Sequence, residues 1–419
     1  MIACRNRDVQ DPTYVRCERK TRRKTRGEGW KRPRKDPEGR KRQCTIASMR
    51  SGATLLRRLP ARKAAGGRKP PASTMKEGSM FETASLSALP SFCIGHAEDA
   101  QAGTGCTVVI APRGAACGVD VRGGGPATRE TDLLKPENMI QDVHAVVLSG
   151  GSAFGLEASC GVMETLACRD IGFPLGQARV PIVVGACLFD LLVGKPIHPD
   201  KAMGRAAAEA ALAQMDESCR AAETERKDDL AQGNVGAGCG ATVGKIAEPE
   251  RAMKSGFGWA CLRAKDVVAA ALVAVNALGC VRDDSGTWIS GVRDEAGGVM
   301  DPLAAIEHAA TKAETQGTAG AGPCENTTIG VVITNAKLTK AQATKVSSTV
   351  HDAYARAIKP VHTANDGDTV FTFASREVDA PYDLVAVLAT EAMQKAIVSA
   401  VKSAAGAFGL PAARDLDLR

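Results

Sequence analysis

Ten residues, 326–335, set the frame for the whole chain and read Asn-Thr-Thr-Ile-Gly-Val-Val-Ile-Thr-Asn. The apolar, β-branched run after the two threonines predicts a buried strand, with Thr327 at its start. If the peptide bond before Thr327 were cut, this residue would carry a hydroxyl nucleophile and a free α-amine with a pKa near about 7.7–8.0. An amine that titrates near neutrality can act as a general base. The simplest alternative is a threonine pair that only begins a strand.

Strand-like and helix-like segments alternate along the rest of the chain. Apolar runs predict strands at 108–110, 145–148, 267–275 and 369–373, and periodic segments predict helices at 153–168, 200–225, 338–358 and 383–405. Central strands with helices on both outer sides indicate an α/β (α+β) fold, arranged as a four-layer αββα sandwich. Residues 282–325 are rich in Asp, Gly, Ser and Pro, which predicts a mobile loop just before Thr327.

Charge is distributed unevenly. Residues 1–80 carry 24 of the 54 basic and 7 of the 47 acidic residues, so this segment has a formal charge of +17 and the remainder has −10. Residues 1–82 are therefore predicted to be a basic, disordered extension, and residues 83–419 a single catalytic domain. The extension lacks the apolar core of a secretory signal. An extension without a role, a transit peptide and a nucleic-acid contact all remain open.

Cysteine and histidine are scattered rather than clustered. The 14 cysteines contain no C-x-x-C pair, and Cys160, Cys168, Cys261 and Cys280 lie in apolar segments. We interpret them as buried thiols of a protein in a reducing, cytoplasmic compartment. The six histidines lack ligand spacing, so neither a metal nor an organic cofactor is expected. No apolar run approaches the roughly 18–20 residues needed to span a membrane, so no membrane-spanning segment is expected.

Two further motifs carry chemical groups. Asp366 and Asp368 are two residues apart, so in an extended segment their carboxylates share one face and could hold an amine. A tight turn is the simplest alternative, and a calcium loop lacks the required spacing and later Glu. Lys245 ends the Gly-rich stretch 236–244, which has neither the spacing of a Walker A loop nor a strand before it, as a dinucleotide site requires.

Seven blocks of sequence together resemble the L-aminopeptidase/D-esterase family, which includes the DmpA-type aminopeptidases, β-peptidyl aminopeptidases and nylon-oligomer hydrolases. They occur in family order and cover about three quarters of the chain, from Gly95 onward. The blocks are Gly-His-Ala at 95–97 leading to Thr-Gly-Cys-Thr-Val-Val-Ile at 104–110, Val-Arg-Gly-Gly-Gly-Pro at 121–126, Leu-Ser-Gly-Gly-Ser-Ala-Phe-Gly-Leu-Glu-Ala at 148–158, Val-Gly-Ala-Gly-Cys-Gly-Ala-Thr-Val-Gly-Lys at 235–245, Val-Asn-Ala-Leu-Gly at 275–279, Asn-Thr-Thr-Ile-Gly-Val-Val at 326–332 and His-Thr-Ala-Asn-Asp-Gly-Asp-Thr at 362–369.

The resemblance implies a role for each matched residue. It implies self-cleavage between Asn326 and Thr327, giving chains 1–326 and 327–419, after which Thr327 is the nucleophile. It places Lys245 in the active site, where a cation would lower the pKa of the new amine. It makes Asn276 the donor to the oxyanion, although without the family an Asn that ends a strand would be the simpler interpretation. Asp366 and Asp368 would hold the Thr327 ammonium.

One position departs from the family, because Phe189 stands where some members have Tyr. The loop at Gly150 and Gly151, flanked by Ser149 and Ser152, is either a pocket wall or a subunit contact. The first functional hypothesis is an autoprocessed aminopeptidase or amidohydrolase that acts on short peptides or β-amino and amide analogues, forms tetramers of processed heterodimers, and contacts neither membrane nor nucleic acid. The alternatives are an acyltransferase resembling ornithine acetyltransferase and a non-catalytic protein that binds nucleic acid through residues 1–80.

Overall fold

The computed structural model describes residues 81–220, 230–246, 248–316 and 326–416. For residues 216–220 and 312–316 it describes the backbone alone. Its helices are α1 (Ala158–Cys168), α2 (Lys201–Arg220), α3 (Pro302–Gln316), α4 (Lys340–Ala357) and α5 (Tyr382–Ser403). Its strands are β1 (Glu82–Thr83), β2 (Cys93–Asp99), β3 (Thr104–Val121), β4 (Ala127–Arg129), β5 (Val143–Ser149), β6 (Phe173–Leu175), β7 (Ala178–Val180), β8 (Val183–Cys187), β9 (Thr242–Val243), β10 (Met253–Lys254), β11 (Phe257–Ala264), β12 (Val267–Asn276), β13 (Cys280–Arg282), β14 (Trp288–Ser290), β15 (Thr327–Ala336), β16 (Ile358–Lys359) and β17 (Thr369–Val378).

The long strand β3 belongs to two sheets. Its first half pairs with β2 and β5, and its second half pairs with β17. The first sheet has the order β1-β11-β12-β15-β17-β3, and the second contains β2, β3, β5, β8 and β4. The register of β3 against β5 shifts between Ile110 and Ala115. Such an irregularity bends a strand, which allows one strand to serve both sheets.

Alternating residues of the first sheet face two different cores. Ile329, Val331 and Ile333 of β15 belong to a cluster that also contains Val146 and Leu148 of the second sheet. Val332, on the opposite face of β15, packs in a cluster with residues of α4 and α5. The second sheet is covered on its other side by α1 and α2. The layers therefore run helices, sheet, sheet, helices, and the predicted αββα sandwich is confirmed.

The strands predicted around Thr327 are present, but the loop predicted at 282–325 is wrong in part. This segment contains β14 and the helix α3, and residues 317–325 lie outside the described part of the chain. The carboxylate of Asp301 accepts hydrogen bonds from the backbone N–H of Leu303 (2.9 Å) and Ala304 (3.4 Å). An Asp before a helix and a Pro at its first position are a start signal that the Gly- and Asp-rich surroundings obscured.

Two smaller expectations also need correction. The helix predicted at 153–168 begins as a 3₁₀ turn, Ser152–Glu157, and becomes α-helical only at Ala158. Cys261 and Cys280 are buried as expected, whereas Cys168 is exposed and Cys160 half-buried. Both lie on α1, which covers the edge of the second sheet and turns part of its surface to solvent, so an apolar neighbourhood in sequence did not ensure burial.

Helix α5 corrects the expectation that no segment is long and apolar enough to span a membrane. It is long and apolar enough by composition to cross a membrane, with a mean hydropathy of 1.5 over its most apolar window. Of that window, 61% is buried inside the fold, where Leu388, Met393 and Ile397 pack in the core. The extension predicted at 1–82 lies outside the described residues except for its last two, of which Glu82 pairs with Arg263 of β11. Its boundaries stay a prediction.

Candidate active site

Thr327 begins β15, which lies between β12 and β17 inside the first sheet. Its side chain points into the space between the sheets, because it shares a strand face with Ile329 and Val331. The residue is only 4% exposed. Its hydroxyl donates a hydrogen bond to the carbonyl oxygen of Asn326, the residue before it. The hydroxyl thus lies directly beside the peptide group that it would have to attack.

Thr328 occupies the opposite face of the same strand. The alternation that turns Thr327 toward the second sheet turns Thr328 toward α4 and α5. Its backbone N–H donates to Oδ1 of Asp368 at 2.7 Å. Of the two adjacent threonines, only Thr327 presents its hydroxyl to the inter-sheet space.

Asn276 is paired with Thr327 across the sheet. It ends β12, and the register of β12 against β15 places the two residues opposite each other. The side-chain oxygen of Asn276 accepts from the Thr242 N–H (3.0 Å), the Thr242 hydroxyl (3.3 Å) and Lys245 Nζ (2.8 Å). Its side-chain nitrogen donates to the carbonyl of Phe189 at 2.8 Å. These contacts fix the orientation of the amide.

Lys245 reaches this point because its loop is tied down on both sides. Lys245 N–H donates to the Leu278 carbonyl at 2.9 Å, and its ammonium also donates to the Asn276 main-chain carbonyl at 3.3 Å. The fully buried Lys254 holds the earlier part of this loop, because its ammonium donates to the carbonyls of Gly238 (3.2 Å) and Ala241 (3.0 Å). Burial lowers the pKa of Lys254 to about 7. The Gly-rich stretch is therefore a structural loop that delivers Thr242 and Lys245 to Asn276.

The backbone of Asp366 and the carboxylate of Asp368 lie on the two sides of the Asn326–Thr327 peptide. Asp366 forms an isolated parallel bridge with Asn326, and its carboxylate accepts from the Thr363 N–H at 2.6 Å. Burial, and then the charge of Asp368, raise the pKa of the Asp366 carboxyl. Asp368 binds the N–H on the other side of Thr327, that of Thr328. The structure thus brings all the predicted site residues to one end of the sandwich, while their catalytic roles stay predictions.

Comparison with known proteins decides the family. The model of peptidase family S58 matches residues 86–412. This chain belongs to peptidase family S58. The predicted resemblance to the L-aminopeptidase/D-esterase family is therefore confirmed. As an S58 member with aminopeptidase and oligomer-hydrolase relatives, the chain is a hydrolase of peptide or amide bonds.

Curated relatives of this S58 chain carry two kinds of description. An uncharacterised aminopeptidase of Mycobacterium tuberculosis is 36% identical over 330 residues, covering 74% of this chain and 89% of the relative. The 6-aminohexanoate-oligomer endohydrolase of Paenarthrobacter ureafaciens is 32% identical over 293 residues, covering 70% and 75% respectively. The first relative is thus described as an aminopeptidase and the second as an oligomer endohydrolase.

Solved structures support the fold of this S58 chain. A β-aminopeptidase of a Burkholderia species aligns with a TM-score of 0.53 at 19% identity, covering 82% of this chain and 97% of its own. The L-aminopeptidase D-Ala-esterase/amidase of Ochrobactrum anthropi, described as a variant of the Ntn hydrolase fold, aligns with a TM-score of 0.53 at 16% identity, covering 76% and 86%. At these identities the likeness concerns the fold, which is that of the Ntn hydrolases.

One residue that sequence reasoning missed in this S58 chain is His362. Its Nδ1 donates to Oδ2 of Asp368 at 2.8 Å, and its main-chain N–H donates to the same oxygen at 3.1 Å. The signal was available, since His362 lies six residues before Asp368 in the block 362–369. Spacing typical of metal ligands, which the six histidines lack, does not single out His362.

Gly367 leaves room for the Thr327 side chain in this S58 chain. A Cβ atom at position 367 would lie 2.7 Å from Thr327 Oγ and 3.0 Å from the Gly125 carbonyl oxygen. We therefore expect Gly367→Ala to push the hydroxyl away from the Asn326 carbonyl and to slow hydrolysis about 10²-fold, as a misplacement of about 1 Å can. Steady-state kinetics of the purified variant, with its thermal midpoint, test this. Wild-type kcat in a folded Gly367→Ala protein would contradict the placement.

Proposed function

We propose that this chain is an N-terminal-nucleophile hydrolase that cuts itself between Asn326 and Thr327. In the first step, Thr327 Oγ attacks the Asn326 carbonyl carbon, the C–N bond breaks, and the nitrogen takes up the hydroxyl proton. Water then hydrolyses the resulting ester, which leaves a carboxylate on Asn326 and a free amine and hydroxyl on Thr327. The observation that carries this proposal is the hydrogen bond from the Thr327 hydroxyl to the Asn326 carbonyl.

The freed Thr327 would then act on substrate. Its α-amine takes the hydroxyl proton as Oγ attacks a substrate amide, and the leaving amine receives that proton when the C–N bond breaks. An acyl-enzyme remains, and water releases it by the same steps. The hydrolysis of amides through an ester needs only groups that this one residue carries, once the bond to Asn326 is gone.

Asn276 and Lys245 would support this chemistry. Asn276 lies opposite Thr327 in the sheet, with its amide orientation fixed by Thr242 and Phe189, so we assign it donation to the oxyanion. Lys245 is bonded to Asn276, and its charge near the new amine would favour the unprotonated base. Burial and the charge of Asp368 raise the pKa of Asp366, and the charge of Lys245 acts in the opposite direction, so Lys245 and Asp366 share one electrostatic environment.

The proposed substrates are short peptides, or β-amino and amide analogues, from which an N-terminal residue is released. The description of relatives as aminopeptidases supports the release of a terminal residue, and the description of another as a 6-aminohexanoate-oligomer endohydrolase supports amide substrates. An acyltransferase would use the same acyl-enzyme, and only the acceptor distinguishes the two.

Product analysis separates hydrolysis from acyl transfer. We expect wild-type protein incubated with aminoacyl p-nitroanilides, β-aminoacyl p-nitroanilides and linear 6-aminohexanoate oligomers to release amine and free acid in equal amounts. Added ornithine or glycine, as amine acceptors, should leave that ratio unchanged. Mass spectrometry of the products is the measurement. An acylated acceptor at the expense of free acid would replace the hydrolase with a transferase.

A further inference from the structure

The Asp368 carboxylate accepts three hydrogen bonds from two residues. It is 1% exposed. Oδ1 accepts from the Thr328 N–H at 2.7 Å, and Oδ2 accepts from His362 twice, from Nδ1 at 2.8 Å and from the main-chain N–H at 3.1 Å. The buried Asp368 carboxylate therefore links two groups. One of its oxygens binds the N–H of Thr328, and the other binds His362.

The same segment also holds the other side of the scissile peptide. Asp366 bridges to Asn326, while Asp368 binds the N–H of Thr328. The peptide between Asn326 and Thr327 thus lies between two anchored neighbours. A hydrogen bond from an N–H to a carboxylate is stronger than one between neutral groups, so the Asp368 contact is the firmer of the two anchors.

His362 is itself fixed in an unusual conformation. Its φ angle is +57°, in the left-handed region that residues with a Cβ seldom adopt. Its ring stacks on Tyr354 with centroids 5.9 Å apart and meets the edge of His351 at 4.7 Å. Strained residues that surrounding contacts hold in place concentrate at functional sites. Here, packing against α4 keeps Nδ1 directed at Asp368.

We propose that His362 is a positioning residue for self-cleavage, which holds Asp368 and, through the Thr328 N–H, the main chain of Thr327 in the geometry of attack. This inference rests on the proposed self-cleavage at Asn326–Thr327. His362 touches neither the scissile carbonyl nor the hydroxyl. It sets the conformation in which the Thr327 hydroxyl meets the Asn326 carbonyl.

Position 362 offers closely matched variants. In His362→Asn the amide nitrogen is as many bonds from Cα as Nδ1 is, so the donor to Asp368 is retained, and Asn tolerates the left-handed region. His362→Asp has nearly the same shape as His362→Asn, but it replaces the amide donor with a carboxylate that faces the carboxylate of Asp368. His362→Gly adopts the same backbone conformation without strain and has no side-chain donor. Together they separate the hydrogen bond from the shape of the backbone.

The test is the rate of self-cleavage in the full chain after cell-free synthesis, followed by denaturing mass spectrometry, with thermal midpoints in parallel. We expect His362→Asn to cut at close to the wild-type rate. His362→Asp and His362→Gly should cut about tenfold to hundredfold more slowly, the range that loss of one hydrogen bond to a charged group corresponds to. His362→Gly decides the matter if the paired carboxylates of His362→Asp prevent folding.

Two results would overturn the inference alone. One is a folded His362→Gly protein that cuts at the wild-type rate, and the other is a folded His362→Asn protein that is as slow as His362→Gly. A wild-type chain that stays uncut, like Thr327→Ala beside it, would overturn the proposed function and this inference with it. The two failures are therefore distinguishable in one experiment.

Discussion

Thr327→Ala is expected to remain a single uncut chain and to lose amide hydrolysis by about 10⁴-fold or more, the scale seen when a catalytic nucleophile is removed. The reason is geometric, because the Thr327 hydroxyl is the group bonded to the Asn326 carbonyl and faces the space between the sheets. Intact mass and amine release, measured on the same preparation, give both readouts.

The neighbouring residue supplies the comparison for this variant. The Thr328 hydroxyl lies on the opposite face of β15, and the Thr328 contact with Asp368 uses the backbone N–H, which alanine keeps. We expect Thr328→Ala to cut itself, and Thr327→Ser, which retains a hydroxyl, to cut as well. A cut Thr327→Ala chain together with an uncut Thr328→Ala chain would move the nucleophile to Thr328.

Substitution of Asn276 is expected to have the second largest effect. Asn276→Asp keeps an oxygen that can accept from Thr242 and Lys245, but it removes the N–H donors of the side chain. If the amide stabilises the oxyanion, kcat should fall about 10²–10³-fold while KM changes far less. Steady-state kinetics on a p-nitroanilide substrate measure both constants.

Asn335 provides the matched control for Asn276. It lies near the end of β15 opposite Thr327, accepts from the Val268 N–H (2.9 Å) and donates to the Asp266 carbonyl (2.9 Å), which are contacts of the same type away from Thr327. We expect Asn335→Asp to lower the thermal midpoint and to leave kcat of the folded protein close to wild type. Equal losses of kcat in both variants would assign the Asn276 effect to packing instead.

The sandwich could be predicted because its evidence is local. The apolar run 329–335 and the run at 267–275 are too regular to be loops, and the structure pairs them as β15 and β12. Helix α3 escaped prediction because its start signal, Asp301 followed by Pro302, lies among turn-forming residues. The bend of β3 does have a local mark, because Pro112 and Gly114 (φ +76°) lie between Ile110 and Ala115, where the register shifts.

The sequence predicted which residues form the site but not the hydrogen bonds among them. The spacing of Asp366 and Asp368 predicted that the two carboxylates share one face, but it could not show that one accepts from the Thr363 N–H and the other from the Thr328 N–H. The contact between His362 and Asp368 depends on a left-handed backbone at His362 and on packing against α4, neither of which is encoded in residue spacing. Phe189 orients the Asn276 amide through its main-chain carbonyl. The replacement of Tyr by Phe at this position changes only the side chain and so leaves this contact in place.

The most direct test of this account is the intact mass of the wild-type chain under denaturing conditions, with N-terminal sequencing of the smaller species. We expect two fragments that meet between Asn326 and Thr327, the smaller of which begins with a free Thr327. A single uncut chain with amide-hydrolysing activity would contradict the account, because Thr327 would then have no free amine with which to work.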